Sequence, residues 1–253
     1  MAINSLKWYE SLSTKKGRRE TGCFMVEGVR SVEWLVQSYR SQLVELIAEE
    51  NFSANVGMPV DRWVTSSQFK RFSQMQTPQG VAAVVRIPEQ AYSDQLPAGP
   101  GEKILFLENV QDPGNVGSCI RCAAAFGFSG IVMTDQCADP FAPKCVQSSA
   151  GSLLALWYRR HVNATGMIQN LQQSGYKLVA MDLNGEPLEK ATQSLSRIVL
   201  ALGNEGEGLS QRILSLADIR WTIPMDRSRA ESLNVAASGA IGMYEFSNKR
   251  TCD

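Results

Sequence analysis

Three stretches of the chain place polar side chains directly after apolar runs. Asn115 and Arg121 follow the run KILFLENV, Glu205 lies in the glycine-rich turn GNEGEG after RIVLAL, and Ser232 and Asn234 lie in ESLNVA after IRWTIPM. Such runs are typical of buried strands, and ligands bind beyond the carboxyl ends of the strands in an open parallel sheet. Exposed backbone at two such ends, beside a helix N-terminus, predicts a pocket for a polar cofactor.

Each of these residues also has a purely structural explanation. Asn115 is a good helix N-cap, Arg121 can be a surface cation, and Ser232 or Asn234 can cap the last helix. Arg121 comes six residues after Asn115, just under two helical turns, which suggests that both lie roughly on the same side. GNEGEG has neither the G-x-G-x-x-G spacing of a dinucleotide-binding loop nor the Lys-Ser/Thr of a P-loop. It predicts only backbone that a ligand can approach closely, with Glu205 exposed on it.

The elements that must position these residues form two units. From Lys103 onward, buried apolar strands, LLALWY and IRWTIPM among them, alternate with amphipathic helices, which predicts an α/β fold with a parallel, doubly covered sheet. Residues 1–88 also alternate helix and strand and predict a smaller α/β unit, in which a serine caps the helix of SSQFKRF. PEQAYSDQLPAGPGE between them is rich in Pro and Gly and predicts a flexible linker. The predicted domains are residues 1–88 and 103–253, joined by the linker 89–102.

The composition limits the class of protein. The chain has 253 residues, 44% of them hydrophobic, which is enough for one large domain or two smaller ones. No apolar run approaches the length of a membrane span, and the N-terminus MAINSLKWYE is too polar for a signal peptide, so we expect a cytoplasmic protein. The net charge is zero, so any nucleic-acid site has to come from local patches such as KKGRR at residues 15–19. That segment fits either a solvated loop or a loop that contacts phosphates.

The histidine and cysteine content limits the chemistry. His161 is the only histidine, and no carboxylate lies near it in sequence, so a Ser-His-Asp or Cys-His hydrolase is disfavoured. The six cysteines lack the spacing of a disulfide framework, and we expect reduced thiols. Cys119 and Cys122 form a C-x-x-C, but without a second such motif they fit small core residues of a helix better than a redox or zinc site. No metal site is predicted.

The order and spacing of the three polar stretches resemble a known family. N-x-x-D-P-x-N-x-G-x-x-x-R at residues 109–121, L-G-N-E-G-x-G-L-S at residues 202–210, and I-P-M followed by S-L-N-V-A are similar to the three motifs of the SpoU-type (TrmH-like) 2′-O-ribose RNA methyltransferases of the SPOUT superfamily. The resemblance covers about residues 103–248. FMVEGV at residues 24–29, preceded by the basic segment, also resembles the small RNA substrate-binding domain, of ribosomal-protein-like fold, in the family's ribosomal RNA members.

The resemblance implies an enzyme that transfers a methyl group from S-adenosylmethionine to a ribose 2′-hydroxyl, in ribosomal RNA with the large subunit favoured. It further implies a deep trefoil knot in the C-terminal segment, a cofactor bound bent in that knot, and a homodimer with the site near the interface. By motif position, the cofactor is expected on the backbone around Leu202, Gly203, Ile223, Met225 and Leu233. The matching polar site comprises Asn115, Arg121, Glu205, Ser232 and Asn234. In the N-terminal domain, the cations expected to bind RNA phosphates are Lys15, Lys16, Arg18, Arg19 and Arg30.

The family proposal makes Arg121 the catalytic base. A guanidinium normally stays protonated, so orienting the ribose or phosphate and stabilising the developing alkoxide is a physically easier role. Ser232 and Asn115 are then expected to hold Arg121 or the ribose, and Glu205 to orient the same network. The segment DRSRAE at residues 226–231 is more charged than the family pattern leads us to expect, and its two arginines are candidates for phosphate contacts.

Three other functions remain open at this point. A transfer RNA ribose methyltransferase has the same motifs, and the added N-terminal domain favours ribosomal RNA over it. A catalytically silent RNA-binding or ribosome assembly factor could retain the fold, although the intact polar motifs argue against silence. A generic nucleotide-binding Rossmann enzyme needs a glycine fingerprint after the first strand, and ENVQDPGNVG does not provide one.

Overall fold

A computed structural model describes residues 4–53, 58–187 and 195–247. The N-terminal unit is a four-stranded sheet with helices on both faces. Its helices are α1 (Leu6–Ser11), α2 (Lys15–Thr21), α3 (Val29–Ser38) and α4 (Ser66–Phe72), and its strands are β1 (Cys23–Glu27), β2 (Leu43–Glu49), β3 (Arg62–Val64) and β4 (Val81–Arg86). The strand order is β1-β4-β2-β3, with β4 antiparallel to both of its neighbours and β3 parallel to β2.

The central strand β4 explains how this unit is covered. All five residues of VAAVV are buried, and alternate side chains pack against different helices. Ala82 and Val84 join the cluster formed with α1 and α4, whereas Ala83 and Val85 join the cluster formed with α3. A strand that is buried on both faces has a continuous apolar sequence, and for this reason GVAAVVRI predicts it correctly.

Two local predictions in this unit were wrong. The basic segment KKGRR is not a loop but the start of helix α2, because the Thr14 hydroxyl accepts a hydrogen bond from the Gly17 N–H at 3.0 Å and caps the helix. Helix α4 is capped by Thr65 and not by a serine, since Thr65 and Gln68 form a reciprocal capping box.

The C-terminal unit is a six-stranded sheet in the order β10-β8-β9-β5-β6-β7, and all its strand pairs are parallel. Its strands are β5 (Lys103–Leu107), β6 (Gly130–Met133), β7 (Trp157–Arg160), β8 (Lys177–Pro187), β9 (Ile198–Leu202) and β10 (Ile219–Thr222). Its helices are α5 (Pro113–Ala125), α6 (Pro143–Ser149), α7 (Ala164–Gln173), α8 (Gln211–Leu216) and α9 (Val235–Ser247). Side chains of α5, α6 and α9 belong to the cluster on one face, and those of α7 and α8 to the cluster on the other. The predicted α/β fold with a parallel, doubly covered sheet is confirmed.

Two predicted strands have different bounds in the structure. LLALWY, at residues 153–158, is only partly a strand. Ser152–Ala155 form a short 3₁₀ helix, and β7 begins only at Trp157. Ala150 and Gly151, with φ of 49° and 84°, turn the chain before it, and a short apolar run cannot by itself distinguish a turn of helix from a strand. In IRWTIPM, β10 ends at Thr222, and residues 223–234 between it and α9 are irregular.

The segment between the two units is docked rather than free. Arg159 donates hydrogen bonds to the Gln90 carbonyl at 2.9 Å and to the Gln90 side-chain oxygen at 3.0 Å, and the Trp157 indole donates to the Pro100 carbonyl at 3.0 Å. A single apolar cluster also spans both units, with the rings of Phe24 and Phe141 5.3 Å apart. The expectation of a flexible linker is therefore corrected, because partners on β7 hold the Pro- and Gly-rich segment.

No helix within the described residues has both the length and the apolar character needed to cross a bilayer.

Candidate active site

Two loops at the carboxyl edge of the large sheet are joined by hydrogen bonds, one set of which is centred on the buried Glu108. The Glu108 carboxylate, at the end of β5, accepts hydrogen bonds at 2.7 Å from both the backbone N–H and the hydroxyl of Ser210. The Asn204 side chain donates to the Asn109 carbonyl at 2.9 Å, and Asn109 has a left-handed φ of 56°. These bonds hold the β5–α5 loop and the glycine-rich turn after β9 in one fixed arrangement.

A hydrogen-bonded chain of three predicted site residues crosses this edge. The Asn115 amide donates to Glu205 Oε1 at 3.0 Å, and its oxygen accepts from the Asn234 amide at 2.9 Å. Glu205 also accepts from the backbone N–H groups of Asp112, at 3.2 Å, and Gln111, at 3.4 Å. Residues from all three motifs are thus brought together, although they lie up to 119 positions apart in the chain.

The environment of Glu205 favours its ionised form. Partial burial pushes its pKa upward, but the hydrogen bonds from Asn115 and from backbone N–H groups outweigh that effect, and the pKa lies below the ordinary value of 4.5. Glu205 is therefore a carboxylate at neutral pH. It acts as an acceptor that orients the Asn115 amide, whose oxygen is then turned toward Asn234.

The helix that carries Asn115 is capped by a different residue. The Asp112 carboxylate accepts from the Asn115 backbone N–H at 2.9 Å and caps α5, with Pro113 in the first turn. Asn115 is consequently not the N-cap, and its side chain is left for the site. Asn234 does cap α9: its side-chain oxygen accepts from the Ala236 N–H at 2.9 Å while its amide reaches Asn115.

A cavity of about 350 Å³ opens beside this chain of hydrogen bonds. All five residues that the sequence predicts to bind the cofactor line it, namely Leu202, Gly203, Ile223, Met225 and Leu233. The remaining walls come from the glycine-rich turn, from α8, β10 and the first turn of α9, and from residues 181–184 of β8, where the ladder between β8 and β10 shifts register. Its size falls within the usual range of small-molecule sites.

The glycine-rich turn forms one wall of this cavity by folding back on itself. Asn204 and Gly208 exchange backbone hydrogen bonds at 2.9 Å, and a Cβ on Gly203 would lie only 2.1 Å from the Gly208 carbonyl carbon. No side chain fits at Gly203, so backbone alone forms this part of the wall.

The lining suits a nucleoside that carries polar groups. Leu202, Ile223 and Leu233 offer apolar surface, while Glu205, Glu207 and Ser232 offer acceptors and a hydroxyl. Trp221 also lines the cavity, and its buried indole N–H has no hydrogen-bond partner within the described part of the chain. A buried donor without a partner is costly, which is the condition expected where a ligand supplies the acceptor.

The other two predicted polar residues occupy different positions. Ser232 is exposed and lines the cavity. Arg121 is exposed on α5 and does not line it, and it forms no hydrogen bond or ion pair with any residue in the described ranges. Six residues of helix correspond to about 600° of rotation, so Arg121 and Asn115 leave α5 about 120° apart. This corrects the expectation that the two share one side of the helix.

The predicted RNA-binding cations differ in accessibility. Lys15, Lys16 and Arg19 are exposed on α2, and the Arg19 guanidinium lies 5.9 Å from the ring centre of Tyr92. Arg30 is exposed on α3. Arg18 is buried and its guanidinium pairs with Asp139 at 2.6 Å, so Arg18 is withdrawn from the predicted set. The cause is position: on a helix, adjacent residues point in different directions, and Arg18 points into the junction between the two units.

Within the described residues, the cysteines, the histidine and the segment 226–231 form none of the hydrogen bonds that join the three motifs. The five cysteines that the structure describes are free, Cys119 is fully buried, and burial raises the pKa of its thiol; Cys252 lies outside the described residues. His161 accepts a hydrogen bond from the Asn163 N–H at 3.1 Å. Within the described ranges, no three His, Cys, Asp or Glu residues are grouped so as to hold a metal ion.

The two arginines of the segment 226–231 have partners within the chain. Arg227 donates to the Leu183 carbonyl, and Arg229 pairs with Asp226 at 3.2 Å.

Three residues of the site escaped sequence reasoning. Glu108 had a signal, since it is a carboxylate that directly follows a buried strand, and Asn204 lies inside the glycine-rich motif. Trp221 had no such signal, because an aromatic residue inside an apolar run normally indicates a core position.

Comparison with known proteins defines the class to which this fold and site belong, that of RNA methyltransferases. The model of the SpoU rRNA methylase family matches residues 102–244, and the model of the MRM3-like substrate binding domain matches residues 4–83. The chain belongs to the SpoU rRNA methylase family. Its Bacillus subtilis relative, the 23S rRNA (guanosine(2553)-2′-O)-methyltransferase RlmP, is 33% identical over 244 residues, which cover 95% of each protein.

Solved structures agree with this assignment. A protein of the TrmH family of RNA methyltransferases from Porphyromonas gingivalis superposes with a TM-score of 0.83 and 31% identity, over 98% of this chain and 99% of that one. The SpoU methyltransferase AviRb from Streptomyces viridochromogenes, in complex with S-adenosylmethionine, superposes with a TM-score of 0.83 and 25% identity, over 99% of both chains. The predicted family, the enzyme class and the cofactor S-adenosylmethionine are confirmed.

Proposed function

We propose that the protein methylates a ribose 2′-hydroxyl of large-subunit ribosomal RNA, with S-adenosylmethionine as the methyl donor. The observation that carries this proposal is the hydrogen-bonded chain of Glu205, Asn115 and Asn234 beside a cavity lined by all five predicted cofactor residues. The Bacillus subtilis relative is named as a 2′-O-methyltransferase of 23S ribosomal RNA and spans the same length of chain. The match to a substrate-binding domain supports an RNA substrate that is held by the N-terminal unit.

Backbone and apolar side chains are proposed to hold the cofactor. Leu202, Gly203, Ile223, Met225 and Leu233 line the cavity, and at Gly203 only main chain is available to a ligand. When bound, S-adenosylmethionine supplies a methyl group that its sulfonium already activates. The chain's remaining task is to orient the ribose hydroxyl and to make loss of its proton easier.

The polar residues are assigned to that task. Asn115 and Asn234 present amide groups that Glu205 fixes in direction, which suits them to position a ribose. Ser232, exposed at the cavity and without a hydrogen-bond partner in the described residues, can contact the same sugar. We assign Arg121 the role of a cation that lowers the pKa of the hydroxyl and stabilises the alkoxide, because a guanidinium stays protonated.

A homodimer would explain the position of Arg121. It does not line the cavity of its own chain, and it lies on α5, which packs against α9. On α9 the apolar side chains of Ile241 and Tyr244 are 39% and 53% exposed, and Tyr244 packs against Phe126 at the end of α5. We propose that a second copy covers this surface, so that Arg121 of one copy serves a site shared with the other. A trefoil knot around the cofactor and a cytoplasmic location belong to the same proposal.

The test is methyl transfer to separated RNA classes. Purified protein is incubated with methyl-labelled S-adenosylmethionine and with large ribosomal, small ribosomal or transfer RNA from a strain that lacks the protein. Label in the large ribosomal fraction alone supports the proposal, and label in transfer RNA would replace it with the transfer RNA function. Absence of label from every fraction, with cofactor binding intact by calorimetry, would favour a silent RNA-binding factor. Arg121→Ala should abolish transfer and leave cofactor affinity nearly unchanged.

A further inference from the structure

Lys144 is a cation that the three motifs do not include, yet it lies beside the site. Its ammonium is 3.2 Å from Asp112 Oδ2, and Asp112 Oδ1 accepts from the Asn115 N–H at 2.9 Å. The Asn115 amide in turn reaches Glu205 at 3.0 Å. Lys144 is therefore three contacts away from the carboxylate of the site. Its side chain is 63% exposed, so the ammonium is accessible to a ligand.

The position of Lys144 on its helix is unfavourable for a structural cation. Lys144 follows Pro143 in the first turn of α6, where no acidic residue and no side-chain cap is present. The amino end of a helix carries partial positive charge and favours anions, so a lysine there is placed against the helix dipole. Asp112, from another helix, is the group that compensates it. Binding of an anionic ligand would explain why a cation occupies this unfavourable position.

The arrangement of the two units connects Lys144 with the cations of α2. The loop that leads into α6 contains Asp139, which binds Arg18 of α2 at 2.6 Å. The same loop contains Phe141, whose ring centre is 6.3 Å from that of Tyr92, and Tyr92 lies under Arg19. Exposed cations of α2 and the first turn of α6 therefore flank one loop, at the carboxyl edge of the sheet. Arg30 lies apart from this group. It is on α3, and Trp34 of that helix approaches Gly151, which follows the carboxyl end of α6.

We propose that Lys144 binds an RNA phosphate next to the target ribose and continues the cationic surface of α2 into the catalytic unit. This inference rests on the proposed function and adds a substrate-binding residue to it. An ammonium has three donors, and Asp112 occupies one, so Lys144 can keep that bond and still donate to a phosphate. Asp112 then acts as the positioning residue that aims the ammonium.

The experiment compares Lys144→Gln, Lys144→Arg and Lys177→Gln with the wild type. Lys177 is a matched control, because it forms an exposed ion pair with Asp218 at 2.8 Å at the opposite, amino edge of the sheet. The affinity for deproteinised large-subunit ribosomal RNA is measured at KCl concentrations from about 50 to about 300 mM, which bracket physiological salt. Cofactor affinity is measured by calorimetry, and KM for RNA and kcat by methyl transfer.

The expected result for Lys144→Gln is a KM for RNA raised about 3- to 10-fold, with kcat changed less. The slope of log affinity against log salt should become smaller by about one, as for loss of one phosphate contact. Lys144→Arg should restore most of the KM for RNA and most of the salt slope. Every variant should bind the cofactor as the wild type does, and Lys177→Gln should also match the wild type in KM and salt slope. An unchanged salt slope in Lys144→Gln would overturn the proposal, as would a loss in kcat alone. If no RNA is methylated by the wild type, the proposed function fails, and the salt titration still decides whether Lys144 contacts phosphate.

Discussion

The ion pair between Arg18 and Asp139 joins the two units of the chain, and its disruption should be costly. The Arg18 Nη2 and Asp139 Oδ2 atoms are 2.6 Å apart, and the two side chains are only 4% and 10% exposed. Arg18 also donates to the carbonyls of Leu12, at 3.1 Å, and Ser13, at 2.9 Å. Removal of either partner leaves a buried charge without its counterion, for which about 3–5 kcal/mol is typical.

The perturbation is a double-mutant cycle on this pair. Asp139→Leu and Arg18→Met should each lower the free energy of unfolding by about 3 kcal/mol, which corresponds to about 6–12 °C in Tm for a protein of this size. The double variant Arg18→Met/Asp139→Leu should recover most of that loss, because apolar residues of similar volume can replace a buried pair at little cost. With about 3 kcal/mol lost in each single variant and less than half of that in the double variant, the coupling energy should be about 4 kcal/mol or more.

The assay is urea denaturation followed by far-ultraviolet circular dichroism, with Lys16→Gln as the control. Lys16 forms an ion pair with Glu20 at 3.8 Å in which both side chains are highly exposed, and such pairs contribute less than about 1 kcal/mol. Single-variant losses below 1 kcal/mol, or losses that simply add in the double variant, would refute the conclusion that this buried pair fixes the junction.

Three further predictions concern the cavity and its polar neighbours. Gly203→Ala should abolish cofactor binding by calorimetry, since its Cβ would meet backbone at 2.1 Å, whereas Gly206→Ala, with its nearest atom at 3.6 Å, should bind normally; equal affinities would contradict the proposed wall. Glu205→Gln should lower kcat about tenfold or more at neutral pH with little change in cofactor affinity. Because the pKa of Glu205 lies below 4.5, its contribution in the wild type should persist at all higher pH and be lost only as the pH falls below that value, and an activity loss centred near pH 7 would exclude this carboxylate as the cause. Trp221→Phe keeps an aromatic ring against Phe246 but removes the indole N–H, so cofactor affinity should fall several-fold; an unchanged affinity would show that the cofactor does not use this donor.

The parts of the fold that follow from local physics could be predicted from the sequence. The helix predicted over VRSVEWLVQS is α3 (Val29–Ser38), because its apolar spacing matches one face of a helix. The parallel sheet followed from apolar runs such as RIVLAL, since strands covered on both faces need no polar alternation. The 3₁₀ helix before β7 could not be predicted, because its leucines are as apolar as a buried strand.

Long-range contacts limited the prediction of the site. The five cofactor residues came from motif position in the resemblance to the SpoU-type family, and strand ends alone predicted only a polar pocket at this edge of the sheet. The burial of Arg18 depends on Asp139, 121 positions away, and nothing local distinguishes it from the exposed Arg19 next to it. The same applies to the docked linker, whose partners lie on β7.

The proposed target of this site is the ribose rather than the base. Large-subunit ribosomal RNA from a strain without the protein is incubated with the enzyme and trideuteromethyl-labelled S-adenosylmethionine, digested to nucleosides and analysed by mass spectrometry. We predict a single nucleoside whose added methyl group remains with the ribose fragment, and no such product with Arg121→Ala. A methyl group that remains with the base fragment would contradict the assignment of this site to 2′-hydroxyl chemistry.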